Sequence, residues 1–295
     1  MKINIYNIAY APNASGDLEV IKEKELAQTS EFNAKGHEIS KEVFDDEYSV
    51  FAKELYEYDE KGQLLSEQFL DYDGQLVQKV CYEYNENGNV VKMIEQYEDY
   101  EELYSTIFKF DGTLLTQVDH LVDDEFDFTE KKLVYENQKL IKEIQYDEYS
   151  ETKNIITNKY NDKGLLIKSV RDEVKEKDRR TFELFYDDQN NKVKELIYNY
   201  KDKLIAAQYI RYDEKNREVE SEWEDVDHYK KTVLEYDGDR VKTIIYYDKE
   251  GQITSKIENF YDENKNLIQS KRFEMDKNFT NDLYLAQETV YERVS

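Results

Sequence analysis

The sequence predicts an all-β fold: an antiparallel meander of about twenty strands, built from 25–26-residue hairpin repeats and curled as a superhelical solenoid or partly closed shell. Three observations carry this. The phrase YDEKGQL at Tyr58–Leu64 returns as YNENGNV at Tyr84–Val90 and as YDKEGQI at Tyr247–Ile253. The aromatics that open such phrases, Phe32, Tyr58, Tyr84, Phe110, Tyr135, Tyr160, Tyr186, Tyr212, Tyr236 and Tyr261, follow one another at steps of 24 to 26 residues. Between them apolar and polar residues alternate with period two, the mark of a half-buried antiparallel strand.

Each phrase reads as a turn between two strands. The Asp or Asn after the aromatic can bond the backbone ahead of it, and the residue four past the aromatic must tolerate positive φ. Gly36, Gly62, Gly88 and Gly164 occupy that place, and Asn190 and Asn216 replace glycine in two copies. Lys265 breaks the pattern, so that turn is expected to shift onto Asn264 or Asn266. Phe110-Asp111-Gly112 and Tyr236-Asp237-Gly238 are shortened copies, where Asp-Gly signals a two-residue hairpin.

The strands before the turns place Tyr84, Tyr82 and Val80, or Tyr186, Leu184 and Phe182, on one face, with charge between them. After the turns, Val90, Lys92 and Ile94 step on in the same way. A repeat of this length holds two strands and two turns, so a second set of turns lies at the far edge. It includes Asp71–Gly74, Asp123–Glu125, Asp147-Glu148 and Asp248–Gly251. The whole chain is expected to form one repeat domain. Residues 1–30 form an N-terminal cap, 31–272 the repeats, and 273–295 a C-terminal cap over the exposed edge strand.

At this point the residues resemble the YD-repeat, or Rhs-like, bacterial hairpin repeats, whose copies are built around Tyr-Asp-x-x-Gly-x-Leu. The likeness to MORN-type repeats is looser. The resemblance covers residues 32–267 and implies repeat architecture and a place in toxin biology, as an immunity or antitoxin partner.

Composition narrows the function. The chain has 295 residues, a net charge of −26, 27 Tyr and 13 Phe, but 1 Pro, 1 Cys and 3 His. The regular aromatics argue against the disorder that such charge otherwise implies. A pI near 4.6 disfavours nucleic acid and anionic membranes, which need clustered Lys and Arg. Basic protein partners fit better. Met1–Tyr10 shows no charged region leading into an apolar run, and no span approaches a membrane helix, so a cytoplasmic monomer is expected.

Catalysis fits poorly. His37, His120 and His228 fall at different phases of the repeat, Cys81 reads as a small strand residue, and no phosphate loop or nucleophile elbow is present. Asp262-x-Asn264-x-Asn266 lacks the Gly and Glu that would complete a calcium loop. No enzyme activity, cofactor or metal is expected.

The irregular far-edge turns remain. They carry acid beside aromatics: Asp45, Asp46 and Tyr48; Asp99, Tyr100 and Glu101; Asp123, Asp124, Glu125 and Phe126; Asp147 and Tyr149. Like charges stacked at one edge repel, so such a ridge is expected to hold a basic partner. After residue 170 basic residues intrude, among them Arg171 and Lys175, which places the interaction in the first half. The leading expectation is a non-enzymatic immunity- or antitoxin-like protein that holds a basic effector or toxin. The alternative is a structural or surface-associated, glycan-binding repeat module.

Overall fold

A computed structural model of the chain describes residues 1–13, 17–44, 50–275 and 283–294. It is all strand and turn. In chain order the strands are β1 (Lys2–Pro12), β2 (Leu18–Phe32), β3 (Glu38–Phe44), β4 (Val50–Tyr58), β5 (Leu64–Leu70), β6 (Leu76–Tyr84), β7 (Val90–Tyr97) and β8 (Tyr104–Asp111). Next come β9 (Leu114–Val122), β10 (Glu125–Glu136), β11 (Lys139–Tyr146), β12 (Thr152–Tyr160), β13 (Leu166–Glu173), β14 (Asp178–Tyr186) and β15 (Lys192–Tyr198). The last are β16 (Leu204–Tyr212), β17 (Glu218–Asp225), β18 (Tyr229–Asp237), β19 (Arg240–Tyr247), β20 (Ile253–Tyr261), β21 (Leu267–Met275) and β22 (Leu283–Val294).

The chain divides into two compact units, Met1–Lys53 with Gln208–Ser295, and Glu54–Ala207. In the second unit, β5 to β15 form one antiparallel ladder in sequence order. In the first, the ladder runs from β17 to β22, passes from β22 to β1, and continues through β2 to β3. All 22 strands belong to one sheet.

The β22–β1 pairing corrects the expectation of an open superhelical solenoid. Ile5 lies opposite Tyr291 and Asn7 opposite Thr289, so the first and last strands satisfy each other's N–H and C=O groups. The two terminal strands, which an open array would leave as free edges, are thus paired with each other. The partly closed shell is nearer to this connectivity.

The repeated phrase is explained by its hydrogen bonds. In YDEKGQL, Asp59 Oδ1 accepts from the Gln63 amide at 2.8 Å, and the Gly62 amide donates to the Asp59 carbonyl at 3.1 Å. Gly62 sits at φ +89, where any side chain would be strained. The aromatic has a separate task. Tyr84 donates its hydroxyl to the Leu64 carbonyl at 2.7 Å, on the strand beside it. Tyr160 does the same to Leu140 at 2.9 Å, Tyr186 to Leu166 at 2.8 Å, Tyr236 to Glu218 at 2.7 Å and Tyr261 to Val241 at 2.9 Å. Each tyrosine therefore clasps the start of the neighbouring strand, while the Asn after Tyr84 and Tyr160 and the Asp after Tyr186 and Tyr261 close their turns. Burial raises the hydroxyl pKa of Tyr84, Tyr186 and Tyr236.

Two features differ from the sequence reading. Lys265 itself takes the left-handed conformation at φ +72, so that turn keeps its register and does not shift onto a neighbouring Asn. The closing contacts, Asp262 Oδ1 to the Asn266 amide and the Lys265 amide to the Asp262 carbonyl, hold it there. A β-bulge also accompanies the near-edge turns. Tyr84 pairs with Val90, but Glu83 pairs with Lys92, which leaves Val91 as the extra residue. Lys92 and Ile94 consequently share a face with Glu83 and Cys81, and Met93 and Glu95 lie opposite Tyr82 and Val80. The same shift occurs at Tyr135, Tyr160, Tyr186, Tyr236 and Tyr261.

Within each unit the sheet is a single layer, each strand meeting its ladder neighbours. Among the described residues the buried apolar side chains are accordingly few, Val80, Val118, Leu196, Ala206 and Ala207, and the tyrosines are mostly half-buried. Asp119 is buried on β9, where Thr129 Oγ1 and Gln117 Nε2 each donate to it at 2.7 Å and Lys109 pairs with it at 2.6 Å. Burial works to raise its pKa, but these partners outweigh it and hold the carboxyl below its usual value.

Candidate functional site

Successive far-edge turns of the second unit each lift a large side chain into solvent. They are Tyr72 between β5 and β6 (72% exposed), Tyr100 between β7 and β8 (57%), Phe126 at the start of β10 (64%), Tyr149 between β11 and β12 (76%) and Tyr200 between β15 and β16 (53%). Val174 fills the corresponding place between β13 and β14. Neighbouring far-edge turns are two strands apart, so these side chains recur about every 10 Å along the edge. No near-edge turn residue among the described residues is an exposed large apolar side chain. The contrast is specific to one edge.

Acid surrounds these aromatics, but the acids have different tasks. Asp99, Glu101, Asp124 and Glu125 are exposed, and Asp124 pairs with Lys92 at 2.9 Å. Asp123 builds the turn: its Oδ1 accepts from the Leu103 amide at 3.0 Å and its own amide donates to the Leu103 carbonyl at 2.9 Å. Asp123 and Asp124 both have positive φ, 51 and 62, giving the two-residue loop whose twist matches the flanking strands. Asp147 is also structural. It accepts from the Tyr149 and Glu151 amides and from Lys175, which reaches Glu151 at 2.8 Å as well. The Lys175 hydrogen bond, followed by the backbone amides, lowers the Asp147 pKa. Asp45, Asp46 and Tyr48 lie outside the described residues.

The β7–β8 connection is the most elaborate of these turns. It is pinned at both ends, by the Glu98 amide donating to the Val77 carbonyl at 3.1 Å and by the Leu103–Asp123 pair. Tyr97 and Tyr104 flank it, and Tyr97 stands edge-on to both Tyr100 and Tyr104, with ring centroids 6.1 Å and 6.2 Å away and interplanar angles of 76°. Together with Glu95 and His120 these rings line an open cleft of about 440 Å³. Tyr97 donates to Glu95 Oε2 at 2.7 Å, and Gln78 donates to the same oxygen at 3.1 Å. Glu95 holds the Tyr97 proton in place and, with burial, raises its pKa.

His120 stacks on Phe128 at 4.7 Å, and its ring nitrogens face Thr106 at 3.3 Å and Glu130 at 3.1 Å. Spacing alone gave it no role, because Thr106, Phe128 and Glu130 reach it from neighbouring strands. The signal for the cavity was nonetheless present, as three tyrosines and four acids within Tyr97–Tyr104. His37 and His228 lie in the other unit. Among the described residues no three His, Cys, Asp or Glu side chains gather as a metal site.

A scan against protein-family models finds no match, and a search of curated proteins finds none. Among solved structures, a porin-like protein from Bacteroides uniformis is similar over 82% of this chain and 96% of its own, with a TM-score of 0.36 and 10% identity. A porin-like protein from Bacteroides vulgatus is similar over 74% of this chain and 94% of its own, at a TM-score of 0.21 and 11% identity. The Photorhabdus luminescens Tc holotoxin pore matches 93% of this chain but 23% of its own, at a TM-score of 0.25 and 9% identity. Likenesses at this level carry nothing about activity or partner. The YD-repeat resemblance rests on the phrase itself.

Proposed function

We propose that this chain is a non-enzymatic binding protein whose far-edge rim, in the unit Glu54–Ala207, docks a basic protein. The observation that carries this reading is the row of exposed aromatics, Tyr72, Tyr100, Phe126, Tyr149 and Tyr200, set among acids on one edge and missing from the turns of the other. Charge speeds encounter with a cationic partner, and rigid aromatic side chains supply contact area at low entropy cost. An immunity-like, neutralising role is the narrower form of the proposal and rests on the repeat resemblance. A soluble setting is supported by the strand faces of β6 and β7. Lys79, Glu83 and Lys92 charge one face and Glu95 the other, whereas a membrane barrel turns an apolar band outward.

The test is capture with cross-linking from native host extract, using three proteins. One is wild type. One reverses exposed far-edge charge, Glu101→Lys, Glu125→Lys and Glu148→Lys. The third makes the same change in net charge at the near edge of the same unit, Glu86→Lys, Asp162→Lys and Asp188→Lys. The proposal expects a basic protein, cross-linked at the rim, that the far-edge variant loses and the near-edge variant keeps. Equal loss from both variants, or retention by both, refutes it. Retention of a polysaccharide in place of a protein supports the surface-module alternative.

A further inference from the structure

Tyr97, Tyr100 and Tyr104 present three ring walls, with Tyr97 near-perpendicular to each of the other two and Glu95 and His120 lining the same space. The register explains why they meet. Glu95 and Tyr97 are two residues apart on β7 and so share a face, Tyr104 pairs directly with Glu95 from β8, and Tyr100 folds over from the pinned turn. The cavity is preorganised. Gln78 and Tyr97 fix the Glu95 carboxylate, and Thr106, Glu130 and the Phe128 stack fix His120.

The chemistry of this cleft selects its ligand. Ring faces are electronegative and attract a diffuse, weakly hydrated cation. A hard metal ion would need several oxygen or nitrogen ligands, and no such group of side chains gathers among the described residues. An anion would meet Glu95 in the wall, with Glu98, Asp99, Glu101 and Glu102 in the overlying turn. A volume of 440 Å³ admits a trimethylammonium head group with the chain that carries it.

We infer that Tyr97, Tyr100, Tyr104 and Glu95 form an aromatic cage that binds an alkylammonium group. That group belongs either to a free quaternary amine or to a methylated lysine side chain. The inference goes beyond the rim reading and does not rest on it: the two share Tyr100, but the rim is tested at other residues.

The experiment is calorimetric titration of the full chain with choline, with its uncharged carbon isostere 3,3-dimethylbutan-1-ol, and with a short peptide carrying trimethyl-lysine or unmodified lysine. Choline or the trimethyl-lysine peptide is expected to bind about 5- to 30-fold more tightly than the neutral alcohol, the range that a cation–π contribution of ~1–2 kcal/mol gives. Tyr104→Ala and Tyr100→Ala are expected to weaken binding by a similar factor. Tyr104→Phe, which keeps the ring, retains it. Glu95→Gln, which keeps the shape, weakens charged ligands alone. Binding of the peptide without choline assigns the cage to a protein partner, and binding of both assigns it to the head group itself. Equal affinity for choline and the alcohol, or saturable binding of neither choline nor the trimethyl-lysine peptide, overturns the inference. Either result leaves the capture experiment at Glu101, Glu125 and Glu148 to be decided separately.

Discussion

The tyrosine clasps give the sharpest test of why the repeat exists. Tyr84→Phe removes one neutral hydrogen bond to the Leu64 carbonyl and leaves the ring in place. A bond of that kind contributes about 0.5–1.5 kcal/mol net. Tyr160→Phe removes the equivalent bond to Leu140, but there Asn158 Nδ2 also donates to the same oxygen at 3.1 Å. The carbonyl keeps a partner, so the cost should fall to the bottom of the range, about 0.5 kcal/mol. Removing Asn158 first, as Asn158→Ala, should restore the full cost of Tyr160→Phe, to about 1–1.5 kcal/mol, because the two donors substitute for one another. Tyr261→Phe should follow Tyr160, since Asn259 shares the Val241 carbonyl with it. The assay is urea unfolding of each variant, with the midpoint shift read at constant slope. A Tyr84→Phe midpoint equal to wild type, or a Tyr160→Phe cost that is the same with and without Asn158, would refute the clasp as described.

Three further outcomes follow from the structure. Lys265→Gly should stabilise the protein by about 1 kcal/mol, because the native φ of +72 is strained for a side chain, and unfolding by heat or urea reads the gain. Asp119→Ala should destabilise it by about 1–3 kcal/mol, since Thr129 and Gln117 lose a buried acceptor, and the same melts show this. Stability should also fall at both pH extremes. The turn carboxylates of Asp187, Asp213, Asp225 and Asp262 are held below their ordinary pKa by amides and side-chain donors, Asp225 down to about 2 by the Asp227 and His228 amides. Their contribution is present above about pH 4 and lost as pH falls towards 2. The clasp tyrosines Tyr84, Tyr186 and Tyr236 have raised pKa values, so their contribution is present below about pH 10 and lost above it, as the unfolded chain ionises first. A melting temperature that is flat from pH 4 to 2 would contradict the first half of this.

Local chemistry was legible in the sequence and long-range closure was not. The Tyr-Asp-x-x-Gly step announced the hairpins because each turn is settled within five residues by one Asp side chain and one positive φ. The pairing of Ile5 with Tyr291 leaves no local trace, and the repeat alone leaves a superhelical solenoid and a partly closed shell both standing. The bulge beside each near turn was hidden for a related reason. Val90, Lys92 and Ile94 alternate correctly, but an extra residue at Val91 decides which face they join. At the far edge, Tyr100, Phe126 and Tyr149 were readable as exposed because they sit in turns that repeat. Asp123 and Asp147 were read as ridge charge, whereas their carboxylates are committed to backbone amides. Residue type shows charge; hydrogen-bond geometry shows whether that charge is available.

The central claim is that one edge of one unit binds a basic protein. Its most direct measurement is the affinity of the cross-linked partner, at low and high salt, for the wild type and for a variant carrying Tyr72→Ser, Phe126→Ser and Tyr149→Ser. The account predicts weaker binding at high salt for both, and an additional loss of tenfold or more for the serine variant, about 1.4 kcal/mol or beyond from three anchoring rings. Binding indifferent to salt, or undiminished without the rings, would contradict it.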